Sequence, residues 1–104
     1  MPELSIVIPV YNGGKYIQQC YEGIASQSFK DWEAIFVDDG SFDDSPSILD
    51  GIATSDSKVT VIHKENGGTA TARNAGLDAA SGRYITFLDC DDEIKSDMYE
   101  KMVD

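Results

Sequence analysis

Leu4-Ser5-Ile6-Val7-Ile8-Pro9-Val10 is followed at once by Tyr11-Asn12-Gly13-Gly14. The first seven residues are nearly all apolar and rich in β-branched side chains, the make-up of a buried strand, and Asn-Gly-Gly ends it. Beyond this break the period changes. Ile17, Cys20, Tyr21 and Ile24 fall at i, i+3, i+4 and i+7, which draws one apolar face of a helix over residues 15–28.

The alternation then repeats. Trp32-Glu33-Ala34-Ile35-Phe36-Val37 reads as a second strand, stopped by Asp38-Asp39-Gly40-Ser41. A helix is expected over residues 45–54, with Pro46 in its first turn and Ile48, Leu49 and Ile52 turned inward. Val59-Thr60-Val61-Ile62-His63 is a third strand, and Asn66-Gly67-Gly68 turns into an Ala-rich helix over residues 69–80. Ser81-Gly82 closes that helix, and Tyr84-Ile85-Thr86-Phe87-Leu88 forms a fourth strand ending at Asp89-Cys90-Asp91-Asp92. A last short helix starts at Ser96 or Asp97 and runs to the chain end.

The order is βαβαβαβα. A helix in every crossover predicts parallel strands and right-handed connections. The fold class is therefore α/β, a Rossmann-like half of a doubly wound open sheet flanked by helices. The first, second and fourth strands carry few polar residues, as expected of strands covered on both faces.

At 104 residues the chain has the size of one domain, large enough to bury a core without metal or disulfide staples. Nineteen acidic residues against eight basic ones give a net charge of −11. That balance excludes a nucleic-acid backbone or an anionic membrane surface as a natural partner, since both need a basic face. No apolar run approaches the roughly 18 residues of a membrane span. Met1-Pro2-Glu3 has no basic signal region, so a cytoplasmic location is expected. Cys20 and Cys90 lie in no CxxC or Cys/His cluster and are expected as free thiols.

In a parallel sheet every strand ends on one edge, where α/β folds bind ligands. That edge collects Tyr11-Asn12, Asp38-Asp39, Asn66-Gly67-Gly68 and Asp89-Cys90-Asp91-Asp92. Five carboxylates from two strands are expected to converge there, and a hard divalent cation with oxygen ligands relieves their repulsion. A diphosphate approaching so acidic a chain is repelled unless such a cation bridges it to the carboxylates. Each feature also has a plainer reading. Asp89-Cys90-Asp91 can be a solvated turn before a helix, Asp38-Asp39 a strand-to-turn junction, and Tyr11 a cover over the end of the core. Asn66-Gly67-Gly68 would offer free backbone N–H groups to an anion. Arg73 would pair with Asp38 or Asp39, or touch the ligand. His63 has no partner by spacing and reads as structural. Neither a dinucleotide fingerprint nor a P-loop occurs, and no Ser-His-Asp or Cys-His set supports acyl transfer.

Taken in order, Ile6-Val7-Ile8-Pro9-Val10-Tyr11-Asn12, Gln27-Ser28-Phe29, Val37-Asp38-Asp39-Gly40-Ser41, Asn66-Gly67-Gly68 with Ala72-Arg73-Asn74-Ala75-Gly76, and Gly82 through Asp92 resemble a family 2 glycosyltransferase of the GT-A fold. The resemblance covers nearly the whole chain. It implies a metal-dependent, inverting transferase of the kind used in polysaccharide biosynthesis, with Mn²⁺ or Mg²⁺ as cofactor and a nucleotide-sugar, UDP-sugar by expectation, as donor. Tyr11 would then stack on the uracil and Asp39 would hydrogen-bond the base. Pro9 and Arg73 would lie along the nucleotide pocket, with Asp38 supporting its loops. Asp89 would contact the ribose or the metal-bound diphosphate, and Asp91 would ligate the cation in a DxD motif.

The family domain is about twice this length, and its second half supplies the acceptor site and the carboxylate base. The 104 residues are thus expected to be the nucleotide-sugar-binding part, with the catalytic base beyond Asp104 and a saccharide or lipid-linked acceptor bound elsewhere. The complete enzyme would be cytoplasmic or peripheral to the membrane's cytoplasmic face. Two other readings stand beside this one. A non-catalytic nucleotide-binding or self-associating module would use the exposed sheet edge for a homodimer. A phosphoryl-transfer protein of receiver or haloacid-dehalogenase type would need an acidic nucleophile after the first strand, where Tyr11-Asn12 stands.

Overall fold

A computed structural model describes residues 2–103. Its elements are β1 (Leu4–Val10), α1 (Ile17–Ala25), β2 (Trp32–Asp39), α2 (Ser45–Ser55), β3 (Val59–Lys64), α3 (Thr69–Ala79), β4 (Tyr84–Phe87) and α4 (Met98–Val103). The four strands form one sheet in the order β3-β2-β1-β4, and every pairing is parallel. This is the doubly wound α/β arrangement expected from the alternating pattern. The expected helix over residues 15–28 is shorter because Gln27 leaves it to tie α1 to α4. Its buried amide donates to the Lys95 carbonyl and accepts from the Tyr99 N–H. Of the expected last helix, the described part is α4, and Asp104 lies outside the described residues.

The core is two-sided. On one face Leu4, Ile6, Ile8, Ala34 and Phe36 pack against Ile17 and Ile24 of α1, Leu49 and Ile52 of α2 and Tyr99 of α4. On the other, α3 lays Ala72 over Ile35 and Val37. Gly76 is what lets α3 come so close: a β-carbon there would land on Val7 Cγ1. Helix α3 lies over β1 and β2 and leaves β4 uncovered. Ile85 and Phe87, whose strand partners are Ser5 and Val7, are 43% and 44% exposed. The expectation that the fourth strand is covered on both faces is therefore corrected. An edge strand beyond the reach of the single helix on its side stays open despite its apolar sequence.

β2 runs two residues further than its apolar stretch, because Asp38 and Asp39 stay in register with His63 and Lys64 of β3. The chain steps from β1 outward to β2 and β3, then returns to place β4 on the other side of β1. The reversal of direction leaves a crevice between the C-terminal ends of β1 and β4. Such switch points are where open α/β sheets take ligands.

Candidate functional site

Pro9 marks the mouth of the crevice. Two residues earlier the Val7 carbonyl accepts from Leu88 N–H at 3.0 Å, so position 9 also faces β4, which has by then left the ladder. A proline without an N–H is tolerated in this central strand because no partner stands opposite it. Pro9, Tyr11 and Tyr16 on one side and Asp89, Cys90 and Asp91 on the other line a cavity of about 250 Å³. Tyr11 is 48% exposed and meets Phe42 edge-on, with ring centroids 6.0 Å apart. Its ring looks into the crevice mouth instead of covering the core.

The loop that carries Tyr11 is latched to the loop after β2. Asn12 adopts a positive φ of 51°, an uncommon conformation for a non-glycine residue that its hydrogen bonds stabilise. Its N–H donates to Ser41 Oγ at 2.9 Å, and its Oδ1 accepts from the Phe42 N–H at 2.7 Å. Asp43 adds a second clasp by accepting from the N–H groups of Gly14 and Ser45. The latching roles of Asn12, Ser41 and Asp43 were not evident from the sequence, although Asn12 and Ser41 stand inside the motifs it offers.

Asp38 and Asp39 are buried and fully engaged. Asp38 accepts from the Ser41 N–H at 3.0 Å and lies 2.9 Å from His63 Nδ1. Burial pushes its carboxyl up, but the bonds from His63 and Ser41 outweigh it and hold the group below the usual carboxylate range. Asp39 is 4% exposed. Its Oδ1 takes Lys64 Nζ at 2.7 Å and Gly67 N–H at 3.0 Å, and its Oδ2 takes Gly68 N–H at 3.0 Å and Asn66 Nδ2 at 3.3 Å. Burial again acts upward, and Lys64 with the two glycine N–H groups brings the carboxyl below its ordinary value.

Three expectations change accordingly. The Gly67 and Gly68 N–H groups are not free for an anion, because the chain's own Asp39 occupies them. Arg73 pairs with neither Asp38 nor Asp39, which have His63 and Lys64. Its guanidinium lies over the Phe87 ring at 5.4 Å, with Nη2 3.9 Å from Asp89 Oδ1. His63 does have partners, Asp38 and, through Nε2 at 2.8 Å, Asp50 of α2. The pairing of β2 with β3 sets His63 beside Asp38 and Lys64 beside Asp39, and α2 packed on β3 brings Asp50 to His63. No signal in the sequence gives the partners of Asp38 and Asp39, because they depend on β3 lying beside β2 in this register.

The five acidic residues share an edge without converging. β1 stands between β2 and β4, which separates their ends by roughly 10 Å at ordinary strand spacing. Among the described residues no three His, Cys, Asp or Glu side chains gather as a ready-made metal cluster. Asp89 and Asp91 instead offer two exposed carboxylates at the cavity. Two carboxylate ligands suit Mg²⁺ or Mn²⁺, hard cations that complete their shell with phosphate oxygens and water. The donor set therefore fits. Cys20 and Cys90 carry free thiols.

The family described as Glycosyl transferase family 2 matches residues 5–104. The glycosyltransferase GlyG of Streptococcus pneumoniae is 46% identical over 95% of this chain, and EpsJ of Bacillus subtilis, an uncharacterized glycosyltransferase, is 39% identical over all of it. The chain spans about a third of those relatives' lengths, 33% and 30%. Among solved structures, S. aureus TarS 1-349 in complex with UDP superposes with a TM-score of 0.87 at 29% identity, over 96% of this chain and 30% of that one. The Pyrobaculum calidifontis mannosyltransferase PcManGT, in complex with GDP-Man and Mn²⁺, gives 0.80 at 27% identity over 86% of this chain and 28% of its own. No helix among the described residues is long and apolar enough to cross a membrane. With its crevice between β1 and β4 and a family match running almost end to end, the chain belongs to glycosyl transferase family 2.

Proposed function

We propose that these residues form the donor-binding part of a metal-dependent, inverting glycosyltransferase that takes a nucleotide-sugar with a UDP leaving group. The observation that carries the reading is the cavity at the switch point, where the exposed Tyr11 ring faces the carboxylates of Asp89 and Asp91. Its volume of about 250 Å³ lies below the roughly 300–1,000 Å³ of typical small-molecule sites, as suits one portion of a larger site. The UDP complex of TarS and the Mn²⁺ complex of PcManGT support the choice of nucleotide and cation.

In this reading Tyr11 stacks on the base, and Pro9 forms the floor beside it. Asp39 hydrogen-bonds the base after exchanging one of its four present donors. Lys64 is the one to yield, since its ammonium also holds the Glu65 carbonyl and Thr71 Oγ1. Asp38 supports the loop. Asp89 and Asp91 hold Mn²⁺ or Mg²⁺, with Asp89 also reaching toward the ribose. When bound, that cation would stabilise charge developing on the leaving diphosphate. Arg73, half exposed and only loosely paired with Asp89, is free to turn toward a phosphate.

The acceptor, a saccharide or lipid-linked hydroxyl, attacks the anomeric carbon opposite the diphosphate. The new C–O bond forms as the sugar–phosphate bond breaks, and configuration inverts. A carboxylate base outside these residues takes the hydroxyl proton. The location is proposed as cytoplasmic or at the membrane's cytoplasmic face. A second reading, a self-associating module, draws on the uncovered Ile85 and Phe87 of β4; sedimentation at rising concentration tests it, and a monomer throughout removes it. Titration calorimetry with UDP tests the main reading. Heat of binding is expected with Mn²⁺ and lost with a chelator, and equal affinity in both conditions would overturn the role of the metal.

A further inference from the structure

We propose that His63 is a positioning residue for the nucleotide loop, holding Asp38 so that Asp38 fixes Ser41, and Ser41 fixes Asn12 beside Tyr11. The inference rests on the reading of Tyr11 as part of the donor site. It assigns a task to a side chain that never reaches the crevice.

The relay is continuous. His63 Nδ1 lies 2.9 Å from Asp38 Oδ2, the Ser41 N–H donates to Asp38 Oδ1 at 3.0 Å, and the Asn12 N–H donates to Ser41 Oγ at 2.9 Å. Asn12 Oδ1 then accepts from Phe42 N–H at 2.7 Å, and the Phe42 ring meets Tyr11. The links of Asp38 to Ser41, Ser41 to Asn12 and Asn12 to Phe42 each join a side-chain oxygen to a backbone N–H, so the relay sets backbone positions rather than merely adding contacts.

Asp38 is the vulnerable member. It is 3% exposed, and its Oδ2 is answered by His63. A buried carboxylate left with one oxygen unpaired must protonate or rotate, because desolvating an unpartnered charge is costly. Either change disturbs the bond to Ser41. Asn12 holds a left-handed backbone that only its surroundings maintain, so losing the Ser41 anchor releases the residue next to Tyr11.

His63 also has a plainer task, since Nε2 reaches Asp50 on α2 at 2.8 Å and pins that helix to β3. The two ring nitrogens separate the tasks. His63→Asn places an amide nitrogen near the Nδ1 position and keeps a donor for Asp38 while abandoning Asp50. His63→Gln places it near the Nε2 position and does the reverse.

Amide hydrogen exchange, followed by NMR on the free chain, reads the loop directly, and calorimetry with UDP and Mn²⁺ reads the site. His63→Gln should speed exchange at Ser41 and Asn12 by about tenfold or more and weaken UDP by about tenfold, the factor set by one charge-assisted hydrogen bond. His63→Asn should leave both within about twofold, as for an ordinary surface change. Asp50→Ala, a change on the exposed face of α2, should likewise leave Ser41 and Asn12 protected and keeps the test available should a His63 variant not fold. The proposal is overturned if His63→Gln leaves exchange unchanged, if His63→Asn loses as much as His63→Gln, or if Asp50→Ala exposes the same amides. A wild-type chain that ignores UDP would sink the donor-site reading, while the exchange arm would still decide whether His63 positions the loop.

Discussion

Replacing Asp39 with asparagine tests the electrostatics of the loop between β3 and α3. The carboxylate accepts four hydrogen bonds in a site 4% exposed, two on each oxygen. An amide keeps one acceptor oxygen, and its nitrogen must then face two donors whichever way it is turned. Two lost bonds to a charged group, at about 1.5–3 kcal/mol each, set an upper range of about 3–6 kcal/mol. Lys64 and Asn66 can recover water, and the loop can relax, so the expected loss is about 2–4 kcal/mol. For a domain of this size that lowers the melting temperature by roughly 8–30 °C. Urea and thermal unfolding followed by the single, buried Trp32 measure it. Because folding lowers the Asp39 pKa, its stabilisation is present above the unfolded value of about 3.9 and lost as pH falls through the folded one. The gap between wild type and Asp39→Asn should be full at neutral pH and close in acid. A loss under about 2 °C at neutral pH, far below the range above, or a gap unchanged at low pH, would refute the reasoning.

Bonds to Asp38 and then Asp50 raise the His63 pKa, so its stabilisation is fully present below the unfolded value of about 6.5 and lost as pH rises through the folded one. The melting-temperature deficit of His63→Ala should therefore be largest in mild acid and shrink toward alkaline pH. Tyr11→Ala should weaken UDP by about 1–3 kcal/mol, the range for a base stacked on an aromatic ring, and leave its metal dependence intact. Asp91→Ala should abolish the metal-dependent part of binding instead; calorimetry on both variants, with melting temperatures as control, separates these roles from mere destabilisation. Gly76→Ala should cost about 1–3 kcal/mol in urea unfolding, since its methyl would strike Val7, despite alanine's better helix propensity.

Most of the fold was legible because the strands are short apolar runs bounded by Gly, Asp and Asn, and a helix in each crossover leaves parallel pairing as the natural arrangement. The crevice was partly legible, since the ends of parallel strands share one edge whatever their order. Strand order itself was not legible, and it separates Asp38 and Asp39 from Asp89 and Asp91 by placing β1 between them. The partners of the first pair followed the same rule. Only the register of β2 on β3 sets His63 beside Asp38 and Lys64 beside Asp39. Ile85 and Phe87 misled because an apolar strand reads as buried, whereas their burial depends on which helix reaches the sheet edge.

In the proposed function the donor's cation sits at Asp89 and Asp91, across the crevice from Tyr11. Paramagnetic broadening by trace Mn²⁺ tests it most directly, in amide NMR spectra recorded with and without UDP. UDP-dependent broadening is expected to centre on Asn12, Gly13 and residues 89–92, to be weaker at Asp38 and Asp39, and to be reversed by chelator. Broadening spread evenly over the acidic surface, or centred on Asp43 and Asp44, would contradict it.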